Sequence, residues 1–322
     1  METKRLADGI FVGGGVKGLA FAGALQASAE AGYEEWGRLA GTSAGAITAM
    51  ALAVGYSAEQ LRERLEPFDL SQIADYGPLG EAGIPLNLAL RKGVTRGLAL
   101  HRWIEELLAE APRPAEKFGE LGPDKLAVVG VDLAHSRMVV FPRDVALYVD
   151  EDGRPLVPEE FPIAAAVRIS AGFPYFFPPL GLRDAKTGKQ GVLVDGGVAS
   201  AFPIFLFDSP EPQHPTWGFR LFSGNPPERP SYTRVGGPLW PIGMLKAIVD
   251  TSMGALDELE MVAFEPRTIS IPTGDVPTLD FELGEAQKQE LYEFGYRAAR
   301  AFFEARPEGR NTYGEVPASL AG

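Results

Sequence analysis

The chain has 322 residues, 45% of them hydrophobic and 23% charged, a balance that suits a globular protein with a large core. Its net charge of −13 excludes the basic footprint that nucleic-acid phosphates require, and any contact with an anionic membrane would need a local apolar or basic patch. Cysteine is absent, which removes disulfide and thiolate chemistry, and the three histidines (His101, His135 and His214) are too few for a histidine-rich metal centre.

The start, Met1-Glu2-Thr3-Lys4-Arg5, lacks the apolar core and cleavage site of a signal peptide. No run of about 18 uninterrupted apolar residues occurs, so no membrane span is expected and the default is a soluble cytoplasmic protein. Gly9 to Val12 reads as a buried strand running into a glycine run, Gly13-Gly14-Gly15-Val16-Lys17-Gly18. An alanine-rich helix follows to Ala31, stopped by Gly32. Trp36 to Ala40 is a second strand, and Ala44 to Val54 is a helix of small and apolar residues. Ser57 with Gln60 forms a capping box that opens the next helix. Residues 67–98 hold Pro67, Pro78, Pro85 and several glycines, which predicts loops and short helices, a candidate cap. Leu100 to Glu110 is amphipathic, and its face suits core packing better than anionic lipid. Lys125 to Leu133 and Met138 to Phe141 are strands joined by a turn at His135-Ser136.

Phe161 to Ser170 is a short helix, followed by the cluster Phe173-Pro174-Tyr175-Phe176-Phe177-Pro178-Pro179. This cluster reads either as core or as the lining of an apolar pocket. Gly191 to Val194 is a buried strand ending in Asp195-Gly196-Gly197. Gly218 to Phe222 is a strand between proline-rich loops, Ile242 to Phe264 a long helix, Thr268 to Ile271 a last strand and Glu285 to Ala305 a final helix. The tail 307–322 is polar and frayed in expectation. No repeat or linker breaks the chain, so 1–322 reads as a single domain. Alternation of strands and helices predicts an α/β fold, three layers with a mainly parallel central sheet.

Three motifs carry the chemistry. Gly41-Thr42-Ser43-Ala44-Gly45 is a G-x-S-x-G between strand and helix, the context of a nucleophile elbow; its plainer reading is a serine capping a buried helix. The run from Gly13 to Gly18 offers consecutive amides for an oxyanion. It also fits the G-x-G-x-x-G of a dinucleotide site, with Glu34 or Glu35 as the ribose ligand. Asp195 ends an apolar strand, and the reading places it at the carboxyl end of a parallel strand, where α/β active sites gather. The base for Ser43 is then either Asp195 itself or a histidine. The order Ser43, Asp195, His214 is that of an α/β-hydrolase triad, yet His214 lies between prolines in an expected exposed loop, and His101 and His135 read as solvated.

Glycine run, G-x-S-x-G and Asp-Gly-Gly, in this order, resemble the patatin-like phospholipase family. Gly97 to Trp103, Val131-Asp132-Leu133 and Ile169-Ser170-Ala171-Gly172-Phe173-Pro174 with Phe177-Pro178-Pro179 are similar to further family segments, over residues 9 to 210. The resemblance implies a Ser43–Asp195 dyad without metal or other cofactor, in which Ser43 is acylated and Asp195 is general base. It implies an oxyanion hole from Gly14, Gly15 and Ala44, with Gly13, Gly18, Gly41, Gly45, Gly196 and Gly197 as motif glycines and Lys17 at a basic motif position. The implied substrate is a lipid carboxylic ester, of phospholipase A or lysophospholipase type, met through transient contact with a membrane or micelle surface. The chain departs from the family at Ala201, where an asparagine is usual. That departure keeps a catalytically silent, lipid-binding member as an alternative beside the nucleotide-binding oxidoreductase.

Overall fold

The computed structural model describes residues 5–66, 70–199, 202–222, 264–274, 276 and 283–306. The expected helix at 242–264, the tail at 307–322 and the Ala201 departure lie outside the described residues. In chain order the main elements are β1 (Leu6–Phe11), α1 (Leu19–Glu30), β2 (Glu35–Thr42), α2 (Ala44–Ala53), α3 (Ala58–Leu65), α4 (Ile84–Arg91), α5 (Leu98–Ala109), β3 (Leu126–Asp132) and β4 (Arg137–Phe141). They continue with β5 (Tyr148–Val149), α6 (Ile163–Ser170), β6 (Arg183–Asp184), β7 (Leu193–Asp195), β8 (Thr216–Phe222), β9 (Thr268–Pro272) and α7 (Glu285–Glu304).

Local chemistry explains the boundaries. The Ser57 side chain accepts from the Gln60 amide (3.1 Å) and Gln60 returns a bond to the Ser57 amide (3.0 Å), so α3 starts at the expected capping box. Gly32, with φ 91, ends α1 in a conformation that costs a side-chain-bearing residue strain.

The strands form a sheet in the order β4-β3-β2-β1-β8-β9. Pairs β1–β2, β2–β3, β1–β8 and β8–β9 are parallel, and β4 is antiparallel to β3. The architecture is therefore the expected α/β fold, a mainly parallel central sheet with flanking helices. One expectation is corrected. β7 is a three-residue strand that runs antiparallel to β3, so Asp195 does not end a parallel strand. Strand β7 follows α6 and the short strand β6 in the chain and lies on β3 in the opposite direction.

The core beside β1 is aromatic. Phe11 stacks on Phe219 (centroids 4.6 Å apart, 8°), with Phe21 and Trp36 edge-on to Phe11. Helices α1 and α7 meet backbone to backbone. A Cβ on Gly295 would lie 1.8 Å from the Ala20 carbonyl oxygen, and one on Gly23 would lie 1.9 Å from that of Tyr292. Gly→Ala in a helix ordinarily stabilises by up to about 1 kcal/mol. Here Gly295→Ala must push the two helices apart, and it is expected to destabilise by about 2 kcal/mol or more in urea unfolding; a neutral or stabilising outcome would contradict the close approach.

Candidate active site

The site is assembled on one edge of β3. Thr42 at the end of β2 pairs with Val129, and Asp195 at the end of β7 pairs with Gly130, the next residue along. Strands β2 and β7 therefore point at each other along the same edge, and their carboxyl ends meet. Ser43, the residue after β2, stands beside the Asp195 carboxyl, and its hydroxyl favours the ionised form of that group.

Ser43 sits on a strained turn, with φ 55 and ψ −124. A non-glycine residue there costs on the order of 1–3 kcal/mol, held in place by what surrounds it. The flanking glycines permit the turn because a Cβ on Gly41 would lie 2.2 Å from the Gly45 carbonyl oxygen, and one on Gly45 would lie 2.2 Å from that of Phe11. The Ser43 amide donates to the Ser170 hydroxyl (3.0 Å), which donates to the Val129 carbonyl (2.6 Å). Ser170 thus ties the elbow to the β3 residue that faces Thr42. Ser170 lies within the Ile169-Ser170-Ala171-Gly172 motif segment, and a hydroxyl at the end of an otherwise apolar helix is its one signal in the sequence.

Asp195 is buried and its surroundings are specific. Its amide donates to the Gly172 carbonyl (3.1 Å), and its Oδ1 accepts from the Gly197 amide (2.8 Å). Burial pushes its carboxyl up to about 6, against the downward pull of the Gly197 amide and the Ser43 hydroxyl. Gly196 lets this loop lie on β3, since a Cβ there would be 2.4 Å from the Val129 carbonyl oxygen.

The glycine run lies against the elbow. A Cβ on Gly13 would stand 3.3 Å from the Ser43 Cβ, and one on Gly18 would stand 3.0 Å from the Ala44 Cβ. Gly15, with φ 56, opens the single turn Gly15–Gly18 that precedes α1. Lys17 is buried in that turn. Ala44 is the first residue of α2, so its N–H has no acceptor within the helix.

Two of the three histidines are engaged by other acids and hydroxyls. His214 Nε2 lies 2.9 Å from Asp8 Oδ1, and Asp8 also takes a bidentate pair from Arg38 (2.9 and 2.6 Å). Arg38 precedes Ser43 by five strand residues, ~16 Å of extended chain. His214 is thus neither in an exposed loop nor a triad member, and the Ser43–Asp195–His214 alternative is corrected. His135 is not merely solvated either, because its ring bridges Asp132 (2.8 Å) and Thr187 (3.0 Å) beyond the β3–β4 turn. His101 lies on α5, 3.5 Å from Glu105.

The dinucleotide alternative fails on position. Glu34 precedes β2 and Glu35 opens it, eight residues and ~26 Å of strand before the end that carries Ser43. An acid for a ribose would have to stand at that far end. The aromatic cluster divides. Phe177 is buried beneath Arg168, whose guanidinium carbon lies 4.9 Å from its ring centroid, whereas Tyr175 is exposed with φ 65. Burial lowers Arg168 to about 10, and its guanidinium donates to the Gly97 and Pro178 carbonyls. Among the described residues, no group of His, Asp or Glu is arranged to hold a metal ion, and no helix is long and apolar enough to cross a membrane.

A sequence profile for patatin-like phospholipases matches residues 10–208. The chain belongs to the patatin-like phospholipase family. Its relatives include the YqhO protein of Bacillus subtilis (strain 168), 35% identical over 302 residues that cover 92% of this chain and 97% of YqhO. The NTE family protein Rv2565 of Mycobacterium tuberculosis is 27% identical over 93% of this chain. The chain spans about half the length of that mycobacterial relative, 46% of it. Among solved structures, VipD from Legionella pneumophila has the same fold, with a TM-score of 0.55 at 18% identity over 95% of this chain and 67% of that one. Ser43, the glycine run and Asp195-Gly196-Gly197 all fall inside the segment matched to the patatin-like family.

The raised Asp195 carboxyl makes a stability prediction. With a folded value of about 6 against an ordinary 3.8, ionising Asp195 costs the fold about 3 kcal/mol once both states are charged. The stability is full below the unfolded value and falls as pH rises through 6. Asp195→Asn is therefore expected to unfold at higher urea than the parent at pH 8, with the gain shrinking towards zero near pH 4.

Proposed function

We propose that this protein hydrolyses carboxylic esters of lipids through a Ser43 acyl-enzyme, with Asp195 as general base. What carries the reading is Ser43 on a strained strand–helix turn, brought by adjacent rungs of β3 beside Asp195, a buried carboxyl raised to about 6. Family membership supports lipid acyl hydrolysis in general terms.

In the first half-reaction, Ser43 Oγ attacks the ester carbonyl carbon while its proton passes to the Asp195 carboxylate. The oxygen that becomes negative is received by the amides of Gly14, Gly15 and Ala44, aided by the amino end of α2. One such donor is typically worth about 3–4 kcal/mol in the transition state. The tetrahedral species collapses as Asp195 gives its proton to the departing alkoxide, releasing the alcohol part of the lipid. Water then attacks the acyl-serine, Asp195 takes its proton, and the fatty acid leaves with Ser43 regenerated. A carboxyl near 6 suits this double duty, being ionised at neutral pH yet basic enough to hold a proton transiently.

Fluorophosphonate is expected to label Ser43, and Ser43→Ala and Asp195→Asn are each expected to lower ester turnover at least ~10³-fold without unfolding. Replacing all three histidines should leave substantial activity. Lipid binding with neither labelling nor turnover would instead support the silent alternative. The activity of the parent protein should rise with pH through about 6 and then level off, since only the ionised Asp195 can accept the serine proton. A rate that falls across that range would sink the dyad mechanism.

A further inference from the structure

Helix α4 shows its apolar side to water. Leu86 and Leu90, one turn apart on one face, are 51% and 73% exposed, and Leu79 just ahead of the helix is 63% exposed. Pro85 and Ala89 beside them are also exposed. The polar Asn87 turns the other way, and its side-chain amide donates to the Tyr76 and Val94 carbonyls, both at 3.0 Å. A surface helix ordinarily does the reverse, with its apolar stripe against the core.

The arrangement is held firmly. The Val94 amide donates to the Tyr175 carbonyl (2.7 Å) and the Thr95 amide to that of Phe176 (3.0 Å). The Asp75 carboxylate accepts from the amides of Arg96, Gly97, Leu98 and Ala99. Tyr175, 47% exposed, keeps a positive φ of 65 that an aromatic residue adopts only under constraint. The stretch from Gly172 to Phe177 also reaches the dyad, because the Gly172 carbonyl takes the Asp195 amide.

Charge selects the partner. Between Glu81 and Glu105 there is no acidic residue, but there are Arg91, Lys92, Arg96 and Arg102, in a chain with a net charge of −13. From Gly172 to Arg183 there is again no acid. Leucines facing outward and flanked by cations are the pattern of a helix that lies in a lipid interface. A two-fold contact with a second copy would set this cationic patch against itself.

We propose that α4, with Leu79 and Tyr175, is the surface by which this protein seats on an anionic phospholipid bilayer. Leu86 and Leu90 enter the acyl boundary, and Arg91 and Lys92 meet the headgroup phosphates. The proposal rests on the lipid-hydrolase reading for its biological sense, but the contact itself does not require turnover.

The test is flotation with vesicles of phosphatidylcholine alone and of phosphatidylcholine with phosphatidylglycerol. The protein is expected to partition onto the anionic vesicles about tenfold better, less so as salt rises. Leu86→Glu with Leu90→Glu, and separately Arg91→Glu with Lys92→Glu, should each cut that partitioning about tenfold or more. All these side chains are exposed, so thermal midpoints should stay at the parent value, as should turnover of a dispersed short-chain ester. Equal partitioning on neutral and anionic vesicles, or variants that float like the parent, would overturn the proposal. So would a parent dimer on gel filtration that the leucine variant splits into monomers. If Ser43→Ala floats normally while the parent turns over no ester, the hydrolase reading falls and the docking surface stands.

Discussion

Two strands share one edge of β3, and Ser43 and Asp195 stand together because of that sharing. Val129 holds the end of β2 and Gly130 holds the end of β7, so the residues that follow one strand and end the other are brought together by adjacent rungs of a single ladder. The constraint explains the surrounding chemistry. Two strand ends abutting inside a sheet bury the Asp195 carboxyl, which raises it, and leave little room for side chains, which accounts for Gly41, Gly45 and Gly196. It also leaves the elbow amide at Ser43 in need of an acceptor, and the Ser170 hydroxyl supplies one while donating to the same β3 residue that faces Thr42.

The sheet keeps its two charged centres apart. The buried Asp8 and the partly exposed Arg38 and His214 form a network on the amino-terminal halves of β1 and β2 and ahead of β8, while Ser43 and Asp195 lie at the carboxyl end of β2. Asp8, though buried, is compensated by a bidentate guanidinium and an imidazole. Asp195 is raised by burial, and the Gly197 amide and the Ser43 hydroxyl offset that rise only in part. One buried aspartate is paired with Arg38 and His214; the other is held above the usual carboxylate range by its burial.

Much of this was legible in the sequence because it is local. The elbow, the glycine run and the Ser57–Gln60 cap are short patterns with a fixed geometric meaning, and the apolar runs of β1, β2 and β3 announce buried strands. What was not legible depends on distant partners. The direction of β7 cannot be read from Leu193-Val194-Asp195, since three apolar-to-acidic residues pair equally well either way. The role of His214 depends on Asp8, near the other end of the chain, and its flanking prolines suggested only a loop. The outward leucines of α4 were hidden because helical periodicity shows which residues share a face and not which face meets the core; Asn87 decides that through two carbonyls on either side of its helix.

The backbone contact between α1 and α7 bears on where the working unit ends. The family match stops at residue 208, yet β1 is hydrogen-bonded to β8 and α1 is clamped by α7, both beyond that point. Without them β1 would become a bare edge strand, with Phe11 stripped of Phe219, in the strand that leads directly into the glycine run. Strand β8 and helix α7 are therefore walls of the half that carries Ser43 and not appendages to it. The loop beside Ser43 keeps its shape by leaning on residues that the family pattern does not include.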